Sequence, residues 1–132
     1  MRDIEFRAWD NRQNKYLNPD DVSIRADGFI TAFNVDGKHS RAVQPPGSLS
    51  PWFVIEQYTG LKDKNGIEIY EGDIVKVEGD GEIYRVKWIR SGFGLEPRYN
   101  SPRYPVLGNV ELRKKIEVVS NIHENPELLE EK

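Results

Sequence analysis

The chain has no cysteine, two histidines and one methionine among its 132 residues. Without cysteine there are no disulfides, thiol nucleophiles or cysteine zinc sites, and the composition is compatible with a reducing compartment. His39 and His123 are too few and too far apart in sequence for a metal site, which normally recruits several ligands. There is no long apolar run, so neither a signal peptide nor a membrane span is expected, and the cytoplasm is the default location. A long amphipathic helical pattern, a repeat of fixed period and a G-x-S-x-G elbow are all missing as well. Gly79-Asp80-Gly81 lacks the lysine and helix of a phosphate loop. No cofactor, metal or catalytic set follows from these residues, and the protein is expected not to be an enzyme.

What the chain does have is turns. Residues 57–77, QYTGLKDKNGIEIYEGDIVKV, hold two turns and two strand-like runs in a short span. Asn65-Gly66 suits a two-residue hairpin turn, because both central positions of such a turn need positive φ. Ile67 and Ile69 alternate with Glu68 as a half-buried strand. Residues 70–73 interrupt it, and Ile74, Val75 and Val77 form a β-branched run up to Gly79. A slip of one residue would turn Ile67 and Ile69 toward water, so Gly66→Val is expected to unfold this part.

In chain order, Ile4, Phe6 and Ala8 alternate with Glu5, Arg7 and Trp9 as a strand, with residues 15–17 as its partner. Val22 and Ile24 lead through Asp27-Gly28 into the apolar run 29–33, a second hairpin. Residues 37–51 hold three prolines and two glycines and read as a loop or linker. Trp52 to Ile55 read as the first buried strand of the next module or as a buried linker pinned against it. Ile83 and Val86 are out of phase, which predicts a bulge or bend in the following strand. Residues 93–95, 110–112 and 116–119 are further strand candidates, and 126–131 form one marginal helical turn with Asn125 as N-cap. The fold class expected is mainly β, a small SH3-like barrel in the C-terminal part with an N-terminal β-hairpin element. The division expected is 1–51 for the hairpin element and proline-bordered linker, and 52–132 for the barrel module with a short tail.

Charge is uneven within a net −3. Residues 82–115 carry eight Lys or Arg against three Glu. There Tyr84, Arg85, Lys87, Trp88 and Arg90, followed by Arg98, Tyr99, Arg103 and Tyr104, interleave aromatic and basic groups. Single-stranded nucleic acid needs that combination, since bases stack on rings while cations track phosphates. The competing reading is that small barrels spend their aromatics on the interior. Glu68, Glu71 and Asp73 form a carboxylate cluster of the kind that divides acid and base roles or holds a divalent cation. Turns attract Asp and strand exteriors attract Glu without any such role, and that reading is the simpler one.

Three blocks, IEFRAWDNRQNKYL, QYTGLKDKNGIEIYEGDIVKV and SNIHENPELL, taken in this order, resemble the YopX family of bacteriophage and prophage proteins. Tyr58, Gly60, Asp63, Gly66, Tyr70, Glu71, Gly72 and Asp73 match its pattern, as structural positions. The resemblance implies an SH3-type C-terminal barrel and an N-terminal β element suited to self-association, and it offers no catalytic residues to carry over. The function expected is that of a non-enzymatic phage or prophage accessory protein in the bacterial cytoplasm. It would act as a homo-oligomer or with another protein partner, and without a membrane. The alternative is a nucleic-acid-binding barrel using Arg85, Lys87 and their neighbours.

Overall fold

Short strands closed by glycine turns dominate the computed structural model, which describes residues 5–35, 40–79, 81–89, 92–97 and 114–130. The chain is mainly β and divides into two compact units. One is Phe6–Glu56; the other is built on Gln57–Lys132, which Glu5 joins.

In the first unit β1 (Phe6–Asp10) pairs antiparallel with β2 (Lys15–Tyr16), in the register Trp9↔Tyr16. A 3-10 turn, η1 (Pro19–Asp21), leads into β3 (Val22–Ile24), and β4 (Ile30–Phe33) and β5 (Arg41–Gln44) complete a sheet of order β3-β4-β5. Ile30, Ala32, Val35 and Phe53 are the buried core, with Leu17, Val22, Ala42 and Ile55 packed around them. The other face of β1 is also buried. Trp9 is 3% exposed and meets the Tyr16 ring edge-on at 5.0 Å, so this strand does not have a single apolar face.

A ten-residue strand, β6 (Phe53–Lys62), crosses the division of the chain. In the second unit it is followed by β7 (Glu68–Tyr70), β8 (Asp73–Val77), β9 (Ile83–Ile89), β10 (Gly92–Pro97) and β11 (Ile116–Asn121). The order β10-β9-β8-β11 makes a four-stranded antiparallel sheet. Its inward residues Val75, Val77, Tyr84, Val86, Leu95 and Ile116 join Ile69 of β7 in one core. That arrangement is compatible with an SH3-like barrel.

Several local expectations are corrected. Asn65-Gly66 is not a two-residue turn. Gly66 has φ +81° while Asn65 has no positive φ, and the Asp63 N–H bonds the Ile67 carbonyl at 2.8 Å while the Gly66 N–H bonds the Asp63 carbonyl. This is a three-residue connection with glycine in the left-handed position. Asp27-Gly28 does the same: the Arg25 N–H bonds the Phe29 carbonyl, and only Gly28 is left-handed. Ile67 is consequently half exposed while Ile69 is fully buried.

Strand β5 lies inside the stretch read as loop, because its partner is β4 and not its own composition. No register shift interrupts β9 where a bulge was expected. Tyr84 and Val86 point inward and Ile83 takes the opposite, half-buried face. The irregularities fall in β6, between Tyr58 and Lys62, and in β11, between Val118 and Ser120. The tail forms a 3-10 turn, η2 (Pro126–Leu129), and the Asn125 side chain does not cap it. Ser120 donates to Asn125 Oδ1, and Asn125 Nδ2 donates to Glu127 at 2.9 Å. That bond from Asn125, with the residue's own backbone N–H, holds the Glu127 carboxyl below its ordinary range. Strand candidate 110–112 lies outside the described residues.

Candidate functional site

The residues of the central stretch come together as a set of turn fasteners. Asp63 is 6% exposed and its carboxylate accepts three backbone N–H groups: Asn65 and Ile67 on Oδ1 at 2.8 and 2.9 Å, Val118 on Oδ2 at 2.9 Å. The first two close the β6–β7 turn, and the third ties that turn to β11. Gly60, with φ +86°, sits at the irregularity of β6 beside Thr59, whose hydroxyl donates to the Ile69 carbonyl.

Tyr58 and Tyr70 face each other across β6 and β7 with ring centroids 5.4 Å apart. Asp73 Oδ2 accepts the Tyr70 N–H at 2.8 Å, and Glu71 Oε1 accepts the Gln57 N–H at 3.3 Å. Gly72, φ +88°, bonds Val86 through its N–H and receives Ile122 on its carbonyl. Each matched position thus has a local geometric task.

This bears directly on the carboxylate cluster. Asp73 accepts a backbone N–H of its own turn and Glu71 one from β6, and among the described residues no group of three or more His, Cys, Asp or Glu is placed to hold a metal. His123 lies in the turn after β11, with its N–H bonded to Asn121 Oδ1; His39 lies outside the described residues. An added Cβ at Gly66 would meet nothing within 4 Å, so backbone strain at φ +81° is the main cost of Gly66→Val. We expect a loss of about 2 kcal/mol, on the scale of forcing a β-branched residue into the left-handed region. The melting midpoint should then fall by several degrees with the fold retained, which corrects the unfolding expected from a two-residue turn. An unchanged midpoint would contradict the turn geometry.

The basic and aromatic residues are sorted by the strand rather than interleaved. Side chains alternate across β9, so Tyr84, Val86 and Trp88 share one face and Arg85 and Lys87 the other. Tyr84 is 8% exposed within the core, and its ring is not available to stack on a base. Trp88 is half exposed and rests edge-on against Phe93 at 4.8 Å. Lys87 pairs with Glu96 at 3.1 Å, and Arg85 stands opposite Glu96 in the β9–β10 register. Arg90, Arg98, Tyr99, Arg103 and Tyr104 lie outside the described residues.

A surface that sequence reasoning missed lies on the first unit. The register pairs Thr31 with Ser23 and Val43, and Phe33 with Arg41, so these side chains occupy the sheet face opposite the core. Phe33 and Val43 are diagonal neighbours there, 42% and 39% exposed. Val43 also lines a cleft of about 160 Å³ with Pro45 and Trp52. Trp52 is itself half exposed, with the Arg12 guanidinium 4.1 Å above its ring. The signal was present in the sequence as apolar residues on the alternate phase of β4 and β5, but it is readable only once β5 is known to be a strand.

No helix among the described residues is long and apolar enough to cross a membrane. Among curated proteins none matches the chain. Two solved structures are similar over 98% of this chain and all of their own. One is protein EF1440 from Enterococcus faecalis, 25% identical with a TM-score of 0.62; the other is protein yopX from Bacillus subtilis, 25% identical with a TM-score of 0.59. The family model described as YopX protein matches residues 5–130, nearly the whole chain. The chain belongs to the YopX family.

Proposed function

We propose that the chain is a non-enzymatic accessory protein, of phage or prophage origin and acting in the bacterial cytoplasm, that works through protein contacts and associates with copies of itself. The observation that carries this reading is the outer face of the β3-β4-β5 sheet, where Phe33 and Val43 are exposed, with Trp52 beside Val43. Exposed contiguous apolar surface on a small domain costs solubility, and association that removes it from water recovers that cost. Aromatic side chains flanked by arginine, here Trp52 under Arg12 and Phe33 beside Arg41, are the composition of interface centres. A two-fold contact would use the same face on both copies.

Sedimentation velocity across micromolar concentrations tests it. A species heavier than the monomer that dissociates on dilution is expected; a monomer throughout would remove the reading.

The nucleic-acid alternative makes a separate prediction. With Tyr84 in the core and Lys87 held by Glu96, Arg85→Ala with Lys87→Ala should change affinity for a single-stranded oligonucleotide at low salt by less than about threefold. Tight binding that is steeply salt-dependent and lost in this double variant would favour the alternative.

A further inference from the structure

The first unit also holds a groove of about 580 Å³ on the inner side of β3. Its lining is apolar, from Phe6, Ala8, Leu17, Val22, Ile24 and Ile55. Phe6 and Ile24 are 44% and 37% exposed at it. The charged groups of the lining are Arg7 and Arg25, with no carboxylate among the lining residues. Arg7 is engaged with the buried Glu56 at 2.8 Å. Arg25 is different: it pairs with Asp27 at 3.0 Å with both side chains more than half exposed, a pair that an incoming carboxylate can replace at little cost.

The groove borders a free strand edge. Strand β3 ends its sheet, with β4 as its strand neighbour among the described residues. The Arg25 N–H points to the Phe29 carbonyl on the β4 side, and backbone groups alternate in direction along a strand, so Ser23 also faces β4 and Ile24 faces away. Val22 turns its N–H back to the Pro19 carbonyl. Among the described residues that leaves the Ile24 N–H and C=O for a partner outside the sheet.

We infer that this edge and groove bind an extended peptide segment of a partner protein, one that alternates apolar residues and carries an Asp or Glu. The peptide adds as a strand to β3 through Ile24, places alternate side chains in the groove, and sets its carboxylate on Arg25. Main-chain pairing of this kind supplies affinity, while the pockets beneath supply selectivity. The inference rests on the reading of the chain as a protein-contact module, and it uses a surface other than the outer face that carries Phe33 and Val43.

The test selects heptapeptides from a displayed random library on the full chain. Enriched sequences should alternate apolar residues with at least one Asp or Glu. A synthetic copy of the winning peptide should lose at least about tenfold in affinity to the Arg25→Glu and Ile24→Lys variants, and as much when its own carboxylate is changed to Lys. Both variants change exposed side chains and should keep the wild-type melting midpoint and sedimentation behaviour. No enrichment, a consensus without an acidic residue, or affinity unmoved by these substitutions overturns the inference while leaving self-association intact. Variants that become monomeric also overturn it, because the groove would then belong to the contact between copies.

Discussion

Asp63→Ala should destabilise the protein by about 3–5 kcal/mol, the largest loss expected from any single change in the central stretch. One buried carboxylate satisfies the N–H groups of Asn65, Ile67 and Val118, and alanine leaves all three without their acceptor. A hydrogen bond to a charged acceptor contributes about 1.5–3 kcal/mol, and the three share one group, so the sum is less than three independent bonds. Water reaches the open turn and offsets part of the loss at Asn65, which is exposed. It is less able to help Val118, which packs against the core.

Asp63→Asn separates these contributions. Its remaining oxygen can still serve the turn, but its amide N–H then meets the Val118 N–H, donor against donor. An intermediate loss is expected, on the order of 1–3 kcal/mol. In urea the alanine variant should unfold about 2 M earlier than the parent, taking an ordinary denaturant dependence for a small domain. An alanine variant with the parent's midpoint would mean that Asp63 does not fasten the turn to β11.

Much of the fold was legible because local chemistry and tertiary placement agree. The glycines at 66, 72 and 79 stand where the backbone takes positive φ, and Ile74, Val75 and Val77 are buried residues of β8. Where sequence and structure differ, the deciding interaction lies outside the residue's own propensity. Asn65 has the propensity for a left-handed turn position, but the Asp63 side chain organises the turn from outside it, and only Gly66 needs the unusual φ. Strand β5 has the composition of a loop and is a strand because β4 offers it an edge. In β9 the apolar residues looked out of phase because Ile83 is apolar on the outward face, which β strands of a half-buried sheet tolerate.

The candidate surfaces were less legible still. A run of mixed aromatic and basic residues says nothing about which face each one takes; the two-residue period of β9 puts Tyr84 into the core and Arg85 and Lys87 on the other side. The apolar outer face and the groove of the first unit are built from residues far apart in the chain, Phe33 with Val43, and Phe6 with Ile24 and Ile55. No window of sequence brings those together.

The reading as a self-associating protein stands on the outer face of β4 and β5, and Phe33→Glu with Val43→Glu strikes it at its centre. Both side chains are exposed in the isolated chain, so the double variant should fold with an unchanged circular dichroism spectrum. Two carboxylates placed in an apolar contact would lose their hydration without gaining partners, and on both copies at once if the contact is two-fold. The dissociation constant should rise by at least about a hundredfold, as for loss of interface anchors. Sedimentation equilibrium of parent and double variant, side by side at micromolar concentration, is the most direct measurement. An oligomer is expected for the parent and a monomer for the variant; a folded variant with the parent's mass would contradict self-association through this face.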